Sequence, residues 1–124
     1  MAITAFLVED SKIIRDNLIP TLEGLSAARV EGFAETETEA VAWLNSHDGW
    51  DVAVVDLFLR EGSGLGVLDS CRDRGPTQRI VIFSNYATEE IRRRAAQLGA
   101  DGVFDKSTQI DSLLDFLERL NATW

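Results

Sequence analysis

The chain has 124 residues, and its 21 acidic against 12 basic side chains leave a formal charge of −9. That length makes one domain, with an expected radius of gyration of roughly 14 Å, and the acidic excess argues against direct nucleic-acid binding, which needs a basic stripe. The N-terminus carries no basic, apolar, small-residue signal and no apolar run nears the ~20 residues that span a bilayer, so the expectation is a cytoplasmic chain without membrane insertion.

Taken in order, apolar and polar runs alternate as strand and helix five times. Residues 3–8 read as β1 and end in the acidic pair Glu9-Asp10. Residues 11–25 read as α1, in which Pro20 removes a hydrogen bond at a cost of ~3 kcal/mol and predicts a kink or break near Asn17. Residues 28–33 give β2, and Thr36-x-x-Glu39 is a capping box opening α2 over 37–46. The run Val52-Ala53-Val54-Val55 starts β3, read to Leu57, with Asp56 at the end of the apolar stretch. After a glycine-rich loop, residues 65–74 give α3, in which the lone Cys71 is read as a core residue.

Residues 79–84 form β4 and close on Ser84; residues 89–98 form α4, with Ile91, Ala95 and Leu98 on one face. Glu89 with Arg93 and Glu90 with Arg94 are acid-before-base pairs four apart, worth ~0.2–0.5 kcal/mol each, so Arg92-Arg93-Arg94 reads as a solvated face. Residues 102–105 give β5, followed at once by Lys106, and residues 109–121 give α5. Its inward stripe is Ile110, Leu113, Leu114, Leu117 and Leu120, with Phe116 at the flank as core edge or contact residue. Lone His47 reads as a surface residue, and Trp43, Trp50 and Trp124 are candidate reporters of conformational change.

Short strands with little alternation, each followed by a helix, predict an α/β chain with a parallel, doubly wound sheet covered on both faces. Ligands of such sheets bind beyond the carboxyl ends of the strands, at the switch point of strand order. Asp10, Asp56, Ser84 and Lys106 then share one rim. A charge that close to a buried strand is costly unless it is paired or works. Clustered carboxylates repel one another and suit a hard divalent cation, Mg²⁺, while a lysine nearby offsets part of the charge. The set fits phosphoryl transfer to a carboxylate: Asp56 attacks, the metal bridges acid and phosphoryl oxygens, and Lys106 and the Ser84 hydroxyl hold the rest. Each residue alone also fits a bland role. Asp10 could cap α1, Ser84 could satisfy a strand-end backbone group, and Lys106 could be surface solvation.

The elements Val8-Glu9-Asp10-Ser11, Val55-Asp56-Leu57 with Gly62-Ser63-Gly64, Phe83-Ser84-Asn85, and Gly99-Ala100-Asp101-Gly102 leading to Asp105-Lys106-Ser107 resemble, in order and spacing, the receiver domain of two-component response regulators over essentially the whole length, 1–124. Members of that family are among the standard illustrations of the switch-point rule, so the two arguments for the site's position overlap. The resemblance implies a flavodoxin-like five-stranded sheet of order 2-1-3-4-5. It implies a regulatory phosphoacceptor rather than an enzyme. The domain takes a phosphoryl group from the phosphohistidine of a sensor histidine kinase or histidine phosphotransfer protein onto Asp56, and assists its own phosphorylation and dephosphorylation. By position, Asp10 and Asp56 ligate Mg²⁺ with the backbone carbonyl of Phe58, Glu9 acts mainly through water, and Ser84 and Lys106 assist. A downstream protein docks on the α4-β5-α5 face, with a homodimer as a further option.

The departures are local. The family usually has an aromatic residue three before the lysine, where this chain has Val103 with Phe104 beside it; proline commonly follows the lysine, where this chain has Ser107, leaving the peptide isomer open. Asn85 replaces the usual small residue, and Phe58 and Tyr86 hold places that tune access of water in the family. The last residue, Trp124, falls just after α5, which reads as a stand-alone messenger or relay. The Gly-Ala-Asp-Gly and Lys-Ser-Thr wording also resembles receivers that precede a helix-turn-helix output domain. A pseudo-receiver that binds partners without phosphate is a second class. A haloacid-dehalogenase-like phosphatase is a third, but it needs an aspartate at position 58, where Phe58 stands.

Overall fold

Five parallel strands of four to seven residues form the sheet: β1 (Ile3–Val8), β2 (Ala28–Ala34), β3 (Val52–Val55), β4 (Arg79–Ser84) and β5 (Gly102–Asp105). They alternate with α1 (Lys12–Leu25), α2 (Glu37–Ser46), α3 (Gly64–Ser70), α4 (Glu89–Gln97) and α5 (Ile110–Thr123) in a computed structural model that describes residues 2–123. The strand order is β2-β1-β3-β4-β5, as the resemblance implied, so the chain reverses direction between β1 and β3 and opens a crevice at their carboxyl ends. In β3 every residue is buried, as required of a strand with helices on both faces.

The core divides into two clusters, one on each face of the sheet. On one side Phe6, Val8, Val55, Ile80 and Ile82 pack with Leu44, Val67, Leu68 and Ala95 of α2, α3 and α4. On the other, Leu7, Val54, Val81 and Phe83 pack with Leu18 and Leu22 of α1 and Leu113, Leu117 and Leu120 of α5. Phe116 belongs to the edge of this second cluster and meets Phe104 edge to face, with ring centroids 5.8 Å apart. Cys71 is buried, and burial raises its thiol above the usual range, in keeping with a packing role. His47 is exposed and stacks on Trp43, which in turn stacks on Phe6. Trp50 is buried and donates its indole N–H to the Leu44 carbonyl; Trp124 lies outside the described residues.

Several boundaries and contacts differ from expectation. Strand β3 stops at Val55, and α3 is shorter than its pattern, ending at Ser70 with Cys71 as its cap. β2 alternates buried and open residues rather than being covered on both sides, because it is an edge strand. Pro20 does not break α1, which is helical throughout; Leu18 and Leu22 anchor it on either side, and the Thr21 hydroxyl donates to the Asn17 carbonyl at the turn that lacks the proline N–H. Thr36 caps α2 by accepting from the Glu39 N–H, but the Glu39 carboxylate accepts from Glu35 rather than closing the box on Thr36. The two Glu–Arg pairs of α4 are not formed among the described ion pairs, and Arg92 turns inward while Arg93 and Arg94 stay exposed. Phe104 faces the α5 cluster and Val103 the opposite one, so Phe104 does not stand in for an aromatic at 103. No peptide bond among the described residues is cis. No helix there is long and apolar enough to cross a membrane.

Candidate functional site

Register places the polar residues. Val8 and Val55 are paired, and the Asp56 N–H donates to the Val8 carbonyl at 2.9 Å, so the chain leaves β1 and β3 side by side. Ser84 ends β4 opposite Asp105 of β5, and the Lys106 N–H donates to the Ser84 carbonyl at 3.1 Å. Glu9, Asp10 and Asp56 thereby bring three carboxylates together, with one oxygen from each within 4.8 Å of the others. The ammonium of Lys106 sits on this group, 2.6 Å from Glu9 Oε1 and 3.2 Å from Asp56 Oδ2.

These three carboxylates, Ser84 and Lys106 differ in surroundings. Glu9 is 1% exposed, and its second oxygen accepts from the Ser11 N–H, so both its oxygens are occupied. Asp10 is partly open, yet desolvation by burial, a hydrogen bond with Glu9 and the Glu9 charge together raise its pKa, while Lys106 pulls the other way. Asp56 Oδ1 accepts from the Leu57 N–H at 2.8 Å, leaving Oδ2 facing Lys106. The buried Ser84 hydroxyl accepts from the Tyr86 N–H at 3.1 Å, which leaves its own hydrogen to donate. That bond meets one bland role, since the hydroxyl does satisfy a strand-end backbone group. Asp10 is not the cap of α1; Ser11 is, accepting from the Ile14 N–H. Lys106 is not surface solvation, because its side chain is 12% exposed and paired.

Two loops frame the crevice. After Asp56 the chain turns through Gly62, whose φ of 77° is left-handed, and Phe58 pairs with Ser63 in a single antiparallel bridge. This loop is stapled to the start of α2: Glu37 N–H donates to the Glu61 carbonyl, Thr38 N–H to the Glu61 carboxylate, and Ser63 N–H to Glu37 Oε1. A Cβ at Gly66 would strike the Glu37 carboxylate, and one at Gly64 would strike the Asp56 carbonyl. Across the mouth, the exposed rings of Phe58 and Tyr86 meet edge to face with centroids 4.8 Å apart.

Sequence reasoning missed the residues that brace this site. Arg15 is 7% exposed and donates to the Glu9 carbonyl at 2.7 Å and to Glu35 at 2.9 Å, with its guanidinium 4.1 Å above the Phe33 ring. Its signal was a cation three residues before Leu18 on the buried face of α1. Arg92 and Gln109 brace the Lys106 turn, and Arg92 likewise lies three residues before the buried Ala95.

The family model described as the response regulator receiver domain matches residues 5–118. Among curated proteins, the chain is 31% identical over 100 residues to the DNA-binding transcriptional activator DevR/DosR of Mycobacterium tuberculosis, covering 81% of this chain and 46% of that protein. It is 27% identical over 115 residues to the chemotaxis protein CheY of Halobacterium salinarum, covering 93% of each. The chain spans about half the length of the DevR/DosR and NarL relatives it matches. Among solved structures, a LuxR-family two-component response regulator from Aurantimonas superposes with a TM-score of 0.87 at 24% identity, over 99% of this chain and 87% of that one, a likeness of fold. The strand order, the acidic crevice at its switch point and the match over residues 5–118 agree, and the chain belongs to the receiver domain family of two-component response regulators, a regulatory signalling domain.

Proposed function

We infer that the chain is a phosphorylation-driven switch in which Asp56 accepts a phosphoryl group from a phosphohistidine of a sensor kinase or phosphotransfer protein. The observation that carries this reading is the geometry of one ammonium and three carboxylates at the switch point, with Asp56 Oδ2 facing Lys106 at 3.2 Å. Asp56 attacks phosphorus, the P–N bond to the donor imidazole breaks, and the imidazole leaves with the bond's electrons. The Ser84 O–H and the Lys106 ammonium then donate to the phosphoryl oxygens as charge spreads over them.

The donor set fits magnesium, being hard carboxylate oxygens close enough to face one small ion. Asp10, Asp56 and the Phe58 carbonyl would hold it, with Glu9 acting through water, and when bound it supplies neutralisation of the acidic group and polarisation of the phosphoryl oxygens. The edge-to-face pair of Phe58 and Tyr86 screens the mouth and limits attack by water, so the acyl phosphate persists.

The output is a change of the α4-β5-α5 face that a protein partner, or a second copy of the chain, reads in the cytoplasm. Relatives such as DevR/DosR are named as DNA-binding regulators, and within a longer chain the same face would control an attached output domain. The test is to add acetyl phosphate with Mg²⁺ and record intact mass and heteronuclear spectra. Wild type gains one labile phosphoryl group and shifts amides on α4, β5 and α5, and Asp56→Asn does neither. No mass gain with acetyl phosphate or with a phosphohistidine donor overturns the reading.

A further inference from the structure

The guanidinium of Arg92 reaches three separate parts of the chain. Nε donates to the Ala87 carbonyl at 3.2 Å, Nη1 to the Val103 carbonyl of β5 at 2.7 Å, and Nη2 to Gln109 Oε1 at 2.6 Å. Gln109 stands just before α5, and the same Oε1 also accepts from the Asp105 N–H at 2.9 Å, while the Gln109 N–H donates to the Asp105 carbonyl at 2.8 Å. Ser107 adds its N–H and hydroxyl to the Asp105 carboxylate, which holds that carboxyl below its usual range. The turn that carries Lys106 is thus closed on both sides, and Gln109 is shared between it and Arg92 of α4.

We propose that Arg92 and Gln109 form a strap through which α4 positions Lys106 and senses the state of Asp56. This rests on the phosphoacceptor reading above and names the residues that regulate that site. In the unmodified chain the Lys106 ammonium is taken up by Glu9 and Asp56 together. Once Asp56 carries a phosphoryl group, the ammonium must move outward from Glu9 to meet the new oxygens. Its turn moves with it, and Gln109 draws on Arg92. The strap therefore favours the unmodified arrangement and is pulled when the site fills. A groove of about 220 Å³ lined by Arg92, Ala96, Ala100, Asp101, Gly102 and Val103 gives the Arg92 side chain room to shift. Arg92 and Gln109 touch none of the reacting atoms; they are positioning residues.

A bond that only satisfied the edge carbonyl of Val103 would stabilise the fold without coupling to the site, and a double-mutant cycle on affinity separates the two. The probe is beryllofluoride with Mg²⁺, titrated into wild type, Arg92→Ala, Gln109→Ala and the double variant by heteronuclear spectroscopy. Each single variant should bind the probe about fivefold more tightly, at the low end of couplings between linked sites, and the double no more tightly than either single. In wild type the Arg92 Nε–H signal should move in step with filling of the site. Unchanged or weaker affinity in the singles, multiplicative effects in the double, or a stationary Arg92 signal with the site filled overturns the strap. Should Arg92→Ala not fold, Gln109→Ala and the wild-type Arg92 signal decide the matter. A wild type that fails to bind the probe removes the phosphoacceptor reading itself, and the strap with it.

Discussion

Replacing Lys106 with methionine keeps the length of the side chain and deletes its charge. The ammonium stands 2.6 Å from a carboxylate that is 2% exposed and 3.2 Å from one that is 15% exposed. At an effective dielectric of 20 these contacts are worth ~5–6 kcal/mol each in Coulomb energy, most of which desolvation of the partners offsets. What decides the outcome is the charge left behind: Glu9 stays buried, next to Asp10 and Asp56, with no cation. Breaking a buried pair in this way costs ~3–5 kcal/mol, and the openness of Asp10 and Asp56 to water favours the lower figure. Lys106→Met should therefore lose ~3 kcal/mol in metal-free buffer, or roughly 10 °C in Tm for a domain of this size. Urea unfolding followed by the fluorescence of buried Trp50 measures it. Mg²⁺ should recover more stability in the variant than in wild type, since it replaces the missing charge. Adding Glu9→Gln to Lys106→Met should restore most of the loss. If the single variant lies within about 1 kcal/mol of wild type, or the double is as unstable as the single, the buried-charge reasoning is wrong.

Asp10, whose carboxyl is raised by burial and by Glu9, binds its proton more tightly folded than unfolded, so without metal its contribution to stability falls as pH rises from the ordinary carboxylate value through the raised one. Asp10→Asn should remove that dependence and be the more stable protein at neutral pH in metal-free buffer; equal or lower stability in urea titrations across pH contradicts this. Gly64→Ala should cost ~3 kcal/mol and displace Asp56, because the added methyl meets backbone, whereas Gly66→Ala meets a Glu37 side chain that can swing away and should cost ~1 kcal/mol; matched Tm values for the two would refute the distinction. Phe58→Ala opens the mouth, and the acyl phosphate it carries should hydrolyse roughly severalfold faster in a timed mass assay, an unchanged lifetime ruling out screening by the ring pair.

The fold was legible because its cues are local: β1, β3, β4 and β5 are mostly apolar runs, Thr36 marks the start of α2, and α4 and α5 carry apolar stripes. The residues at the site were legible for the same reason, as polar endings to Val8, Val55, Phe83 and Asp105 become neighbours once the strands are parallel. What escaped were features decided by the rest of the molecule. Pro20 obeys helix propensity in isolation, but packing of Leu18 and Leu22 on the sheet outweighs it. Arg92 looked like the first of three solvated cations, yet β5 offered it an edge carbonyl and Gln109, just before α5, an amide oxygen. Glu37 and Glu61, 24 positions apart, show their partnership only when α2 and the loop after Asp56 are brought together. Ion pairs along α4 were expected from spacing alone, which counts for little where water screens both charges.

The staple between Glu61, Glu37 and Ser63 gives the crevice one stiff bank and one compliant bank. On the stiff bank Asp56 leads into a loop bolted to a neighbouring helix, with glycines at 62, 64 and 66 that leave no slack for a side chain. Opposite it stands β5, a sheet margin whose four residues are all half-covered, joined to its helices by turns. Under the proposed function, a change at the switch point would be taken up where resistance is least, and the difference between the two banks would set the direction in which a signal travels.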